Sequence, residues 1–245
     1  MSLLSLPAEL ISSVVQYLPK EDVLTLCRCK PFHREARRLL HRHTVVPIDR
    51  LYGKICLNNF VGDAKSTEDV AGNVEILEIC LVDWMTTPRV LDLLEQGFSR
   101  LRRLDTLVVS NAWYIRDDDL RLFLSAITRG FNTSNIDTTF RPVRLRILET
   151  CKFDYDLLEG LLHAQPSIES WSMVDLNCGN PFFGGLAAGI LPNLECAHGY
   201  AEHVAEVMRT RRLSRARMAL PVSTDIVSTP SDIGQGPGTS SNSPP

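Results

Sequence analysis

Hydrophobic positions in the first 43 residues recur at the spacing of short amphipathic helices. From residue 10 to residue 18 they repeat every three or four positions, so one face of a helix is apolar. Pro19 ends this run, because proline lacks the N–H that continues a helix. A second short helix is predicted around residues 23–26 and a third from Pro31, where the missing N–H removes no hydrogen bond. Three helices in about 40 residues form only a small core, so this unit is expected to pack against another surface.

A second pattern, Leu-x-x-Leu-x-apolar, occurs five times between residues 74 and 196, where short apolar strands alternate with helical segments. The second anchors of successive matches lie 30, 41, 23 and 23 residues apart. Periods in the twenties are typical of stacked units, each made of one strand and one helix. An extra loop over residues 130–142 accounts for the interval of 41. The second anchors, expected to line one buried side, are Leu77, Leu107, Leu148, Trp171 and Leu194.

Polar residues mark where helices are expected to begin between these strands. Thr87-Pro88 and Asn180-Pro181 each place a capping side chain before a proline, and Asp154 precedes a leucine-rich run, as at helix N-termini. Asp117-Asp118-Asp119 precedes Leu120, where negative charge stabilises the start of a helix. Three successive acids point in different directions, so a cation site is not expected there.

Composition and charge narrow the function classes. The chain is 44% hydrophobic and 22% charged, with a net charge of −3, which fits a globular protein and argues against a dedicated nucleic-acid binder. No apolar run reaches the length that spans a membrane. The seven cysteines are scattered without a CxxC pair, so reduced thiols in the cytoplasm or nucleus are expected. Residues 221–245 contain seventeen Pro, Gly, Ser or Thr residues and are predicted to be disordered.

Candidate chemistry along the chain is weak. Cys27, Cys29, His33, His41 and His43 lie close in sequence, but they fit no zinc-ligand spacing. The glycines of residues 179–189 lack the Lys-Ser or Lys-Thr pair of a phosphate loop, and no catalytic motif is present. We therefore predict no catalytic residue, metal or cofactor. The arginines of residues 209–217 are interpreted as a helix end leading into a last strand, with a basic rim for an acidic partner as the alternative.

The N-terminal pattern resembles the F-box motif over residues 4–43. Its leucine-proline start, first helix, Asp-Leu-Leu-like step and distal aromatic correspond to Leu6-Pro7, Glu9-Leu10, Asp22-Val23-Leu24 and Phe32. The following region resembles the degenerate leucine-rich repeats that follow many fungal F-boxes, without their asparagine ladder. The resemblance implies an α/β protein with an F-box at 1–44, an irregular leucine-rich-repeat-like strand–helix solenoid at 45–220 and a disordered tail at 221–245.

The resemblance also implies a function. An F-box docks on a Skp-type adaptor, and through it on the cullin of an SCF-type ubiquitin ligase, while the following domain binds a protein substrate. Three alternatives stay open: an F-box scaffold outside ubiquitination, a shortened family member without a retained partner, and an α/β enzyme built on a doubly wound sheet. The residues expected to divide between the adaptor surface and the unit's own core are Leu6, Pro7, Leu10, Ile11, Val14, Leu18, Val23, Leu24 and Leu26.

A substrate surface is expected on the strands, because side chains between the buried anchors point outward. These positions are acidic in three strands, at Glu78, Glu149 and Glu195, and the loops after two strands add Trp84 and Trp113. Acids beside exposed tryptophans suit a basic, partly apolar protein partner. The alternative is that both tryptophans cover the edge of the core.

Overall fold

The computed structural model describes residues 7–30, 32–48, 71–81, 87–110, 115–136, 143–150, 155–173, 187 and 189–219. Several predictions fall outside these residues and stay predictions. They concern Leu6, Trp84, Trp113, the cap at Asp154, the Asn180-Pro181 pair, most of the glycines of residues 179–189 and the tail at 221–245.

Three short helices open the chain, as the sequence predicts: α1 (Ala8–Val15), α2 (Lys20–Leu26) and α3 (His33–Arg42). The third begins two residues after Pro31. These helices enclose a small core of their own, which is separate from the core beneath the sheet. Its buried residues are Ile11, Val15, Val23 and Ala36, and its partly buried ones include Leu18, Leu26, Phe32, Leu39 and Leu40.

Seven strands in the described residues form one parallel sheet, and their order in the sheet is their order in the chain. The strands are β1 (His43–Ile48), β2 (Ile76–Leu81), β3 (Thr106–Ser110), β4 (Ile147–Thr150), β5 (Ser170–Met173), β6 (Cys196–Tyr200) and β7 (Arg215–Ala219). The connecting helices are α4 (Pro88–Phe98), α5 (Asp117–Ile136), α6 (Tyr155–Ala164) and α7 (Ala201–Thr210), and a 3₁₀ turn (Ala71–Asn73) precedes β2.

The strand order differs from that of a doubly wound sheet. A doubly wound sheet reverses its order at a switch point, where its ligand binds, and these seven described strands have no such reversal. Parallel crossovers in one sheet share one hand, so a sequential order places the helices on the same side. The anchors of the strands and the buried residues of α4 to α7 accordingly form one continuous hydrophobic cluster.

The second anchors of four template matches are confirmed. The second anchor of the fifth match, predicted for β6, is wrong because it is out of register. Leu77, Leu107, Leu148 and Trp171 are buried partners in adjacent strands. The next partner in this row is Ala197, not Leu194. Leu194 is buried, but it lies three residues before the row and matches the first anchor of the template. Small residues at 197 and 199 give β6 a weak apolar pattern, which explains the error.

The described helices α4 and α5 begin where the sequence predicts. The loop predicted from residue 130 is wrong in its first part. Thr87 caps α4, accepting a hydrogen bond from the Val90 N–H at 3.4 Å, and the three aspartates form the first turn of α5. Helix α5 continues to Ile136, so residues 130–136 are helical. Gly130 lies against α4, where an added Cβ would stand 2.5 Å from Cβ of Phe98. Its missing side chain therefore allows the close contact of the two helices.

Candidate protein-binding surfaces

The apolar residues of the N-terminal unit separate into a buried set and an exposed set. Ile11 and Val23 are buried, and Leu18 and Leu26 pack against them. These four side chains belong to the unit's own core. The exposed set comprises Pro7, Leu10, Val14 and Leu24, of which the last three are each about half exposed, at 51%, 51% and 50%.

One side of α1 carries an exposed apolar stripe, formed by Leu10, Val14 and Tyr17. The three residues are spaced four and three positions apart, as on one helix face. Tyr17 is 83% exposed and stands in the turn after the helix, where its N–H donates to the Val14 carbonyl at 3.2 Å. Ile11 and Val15 occupy the opposite, buried side. Grouped apolar side chains in solvent mark interaction surfaces, and Tyr17 is a member that the sequence analysis missed.

Helix α2, like α1, has one buried apolar side and one exposed apolar side chain. Pro19 stands at its N-terminus, and its carbonyl accepts the N–H groups of Asp22 and Val23 at 3.0 and 3.1 Å. Val23 and Leu26 point inward, whereas Leu24 stays half exposed. Two of the three helices of the unit therefore present apolar side chains to solvent.

Two of the cysteine and histidine side chains of this unit, Cys27 and His33, have defined surroundings. Nδ1 of His33 lies 2.6 Å from the Cys27 carbonyl oxygen, so the ring contacts backbone there. Burial raises the pKa of the Cys27 thiol, against the opposing charge of Arg37. No group of three or more His, Cys, Asp or Glu side chains in the described ranges is arranged to hold a metal ion.

A second surface is the outer face of the sheet, opposite the helices. Glu78 and Glu149 point outward in one row, as predicted. Glu195 does not belong to this row, because it precedes β6, and His198 takes the corresponding position. The expectation that Glu195 lies on this face with the other two acids is therefore wrong. Across the sheet, the row reads Val45, Glu78, Val108, Glu149, Ser172, His198 and Arg217.

Glu195 belongs instead to a mainly charged row of residues that lies just before the strands, at their N-terminal ends. Each residue of this row after Arg42 donates its backbone N–H to the carbonyl of the preceding residue in the row at 2.8–2.9 Å. Arg146 in this row lies 2.9 Å from Glu169 and 3.6 Å from Asp105, atom to atom. The hydrogen bond to Glu169 raises the pKa of Arg146, and the negative charges of Glu169 and Asp105 act in the same direction. The row comprises Arg42, Glu75, Asp105, Arg146, Glu169, Glu195 and Ser214.

The arginine cluster at the end of the described chain lies where the helix-to-strand interpretation predicts. Helix α7 ends at Thr210 and β7 begins at Arg215. Arg209 pairs with Glu206 at 2.5 Å, and Arg211 donates to the carbonyls of Ala187 and Ile190. These contacts show that the first part of the cluster is structural. Arg212, Arg215 and Arg217 are exposed.

One buried titratable group, His203, is not indicated by any pattern in the sequence. His203 in α7 is only 2% exposed, and its ring lies 5.7 Å from that of Tyr200, centre to centre. Burial lowers its pKa, and the charge of Glu202 opposes this shift only partly. No motif surrounds His203 in the sequence, so only its position on the inner side of α7 distinguishes it.

Among the described helices, none is both long and apolar enough to cross a membrane. In a comparison with protein-family models, no family model matches the chain. A comparison with curated proteins likewise gave no significant match.

Proposed function

We propose that the chain is a substrate-recognition subunit of an SCF-type ubiquitin ligase. In this proposal, the N-terminal unit is an F-box that docks on a Skp-type adaptor, and the sheet region binds a protein substrate. The observation that carries the proposal is the exposed set of Leu10, Val14 and Leu24, at positions that match the F-box motif. The unit has its own core, so these side chains are not needed to build it. Burial against a partner protein explains why they are apolar.

We propose further that the sheet region is an irregular leucine-rich-repeat-like solenoid. The sequential parallel strands, each with a buried anchor row on one face, support this. In such an array each unit buries its apolar face only against its neighbours, and the strands present one long open face. The connections differ in length, because α5 has 20 residues whereas α4 has 11.

The proposed role needs no chemistry from this chain. An adaptor holds substrate lysines close to the ubiquitin-conjugating enzyme, and this proximity raises their effective concentration. For this, both surfaces must belong to one rigid body. Helix α3 ends at Arg42 and β1 begins at His43, so the helical unit continues into the sheet without a connecting residue.

Co-elution tests the first half of the proposal. The full chain is mixed with a purified Skp-type adaptor and the adaptor-binding part of a cullin, and the complex is resolved by size-exclusion chromatography. We expect the three proteins to co-elute, and Leu24→Ser to reduce the complex. Leu122→Ser is the matched control, because Leu122 is 47% exposed on α5, outside the unit. Separate elution of the wild-type chain contradicts the proposal.

Ubiquitin transfer tests the second half. A reconstituted ligase is supplied with this chain and with a protein that binds its sheet region. We expect ubiquitin chains to form on that protein only when the adaptor, cullin and this chain are all present. A complex that assembles but transfers no ubiquitin to it indicates a scaffold outside ubiquitination.

A further inference from the structure

The outer face of the sheet carries acids in its first half and arginines in its last strand. The acids Glu78 and Glu149 stand in β2 and β4, and the cations Arg215 and Arg217 stand in β7. His198 in β6 lies beside Arg217 in the register. Because these residues occupy outward positions of strands in one sheet, the charge changes sign along a line across the strands.

Most of these charges have no protein partner in the described part of the chain. No side-chain ion pair or hydrogen bond joins Glu149, Arg215 or Arg217 to another described residue, and among these charges only Glu78 lies near a basic side chain, that of His43, at 3.9 Å. The row before the strands is different, because Arg146 there bridges two acids. Among the described residues, most charges of the outer face are therefore not neutralised by a side-chain contact.

Apolar and small side chains fill the space around these charges. The apolar ones lie in β1 to β4, beside the two acids, and all but one are only partly exposed. Ser170 and Ser172 in β5 separate this half from the cationic half. These small serine side chains leave room for the backbone of a bound peptide to cross β5. The apolar members are Val45, Ile76, Val108 and Ile147.

The spacing between the charges sets the length of a matching ligand. Neighbouring strands lie about 4.8 Å apart, so Glu149 and Arg217, three strands apart, are separated by about 14 Å. Glu78 and Arg217, five strands apart, are separated by about 24 Å. An extended peptide rises about 3.3 Å per residue, so these separations correspond to about four and about seven residues.

We infer that the outer face binds an extended segment of a partner protein, about seven residues long, with opposite charges at its two ends. Its cationic end, with apolar neighbours, lies over β2 to β4, and its anionic end lies at β7. The inference deepens the proposed function, because the segment would belong to the substrate. Two arginines on one strand suit either a carboxylate or a phosphate, since the guanidinium binds both through paired hydrogen bonds.

Selection from a random dodecapeptide library displayed on phage tests the inference with the full chain as bait. We expect the enriched peptides to place Lys or Arg and Asp or Glu about four to seven positions apart. The variant Arg215→Glu/Arg217→Glu should select peptides that lack the acid. The inference is overturned if no peptide is enriched, if enriched peptides lack this spacing, or if both baits select the same sequences.

Synthetic copies of an enriched peptide then give affinities by fluorescence anisotropy. Arg217→Glu should weaken binding about tenfold or more, as for a lost charge-assisted contact. Arg212→Glu, an exposed arginine before β7, is the matched control and should change little. Equal weakening by both variants contradicts a defined contact at β7. Replacing the peptide's acid by phosphoserine shows which anion is preferred.

The same variants separate this inference from the proposed function. Arg215→Glu/Arg217→Glu should leave the co-elution with the Skp-type adaptor unchanged, because neither arginine belongs to the helical unit. Peptide binding without adaptor binding contradicts the proposed function alone. Adaptor binding without a charge-spaced peptide contradicts this inference alone.

Discussion

Arg42 and Glu75 join the last helix of the N-terminal unit to the sheet. Nε of Arg42 lies 2.6 Å from Oε2 of Glu75, and the Glu75 N–H donates to the Arg42 carbonyl at 2.9 Å. Since β1 follows Arg42 directly, the helical unit and the sheet are connected by both covalent and hydrogen bonds. The N-terminal unit and the sheet, which carry the two proposed binding surfaces, are therefore joined at this point.

The side-chain part of this connection is expected to contribute little to stability. Arg42 is 51% exposed, and exposed ion pairs contribute about 0–1 kcal/mol. Arg42→Gln should therefore lower the free energy of unfolding by about 1 kcal/mol or less, and high salt should reduce the difference. Urea denaturation at two ionic strengths measures both effects. A much larger loss would show that the side-chain pair, rather than the backbone, holds the unit on the sheet.

Two helical glycines should respond to alanine with opposite signs. At Gly130, an added Cβ would stand 2.5 Å from Cβ of Phe98 and 2.8 Å from the Glu95 carbonyl oxygen, so Gly130→Ala should destabilise by about 1–3 kcal/mol. At Gly160, the nearest atom is 3.9 Å away, in Thr128. Gly160→Ala should therefore stabilise by about 0.5–1 kcal/mol through helix propensity.

Chemical denaturation of the two glycine variants measures both values. If Gly130→Ala is neutral or stabilising, helices α4 and α5 do not approach each other as closely as described. The comparison is direct, because the same atom is added to a helix in both variants.

Acid should destabilise the fold through His203. Burial lowers its pKa in the folded chain, whereas the ring in the unfolded chain takes up a proton near pH 6.5. Between the lowered pKa and about pH 6.5 the unfolded state binds more protons, so stability falls as the pH drops through this window. His203→Gln should flatten this fall, measured by urea denaturation at several pH values. His163→Gln, on an exposed part of α6, should keep it, and equal slopes in the two variants would rule out His203 as its source.

The buried row and the outer face of one strand should differ strongly in their contribution to stability. Leu107 is fully buried in the anchor row, so Leu107→Ala should cost about 2–5 kcal/mol. Val108 is its neighbour on the outer face, and Val108→Ala should cost far less. Thermal melts of the two variants test this alternation. Equal losses would mean that the outer face is also covered.

The sequence predicts the strands well where the anchors are large and fails where they are small. Leu107, Leu148 and Trp171 mark three strands without ambiguity. In β6, the row is filled by Ala197, while Leu191 and Leu194 imitate the template three residues too early. No template match covers β1, an edge strand of the described sheet that contains Pro47; proline is tolerated at sheet edges.

The division of the N-terminal residues could not be predicted for a different reason. Leu10 and Ile11 are adjacent and equally apolar, and so are Val14 and Val15. A helical period fits either member of each pair, so it cannot identify which one faces the core. Only the placement of α2 and α3 makes Ile11 and Val15 the inner pair.

The affinity of the full chain for a purified Skp-type adaptor, measured by isothermal titration calorimetry, tests the central claim most directly. We predict that the wild type and Leu122→Ser bind with the same Kd. Leu10→Ser/Val14→Ser should bind at least about tenfold more weakly, because anchors of this kind carry most of an interface's energy. Its unfolding transition should shift only slightly, since both side chains are half exposed and lie outside the buried core of the unit. An unchanged Kd for the double variant, or no binding by the wild type, would contradict the account.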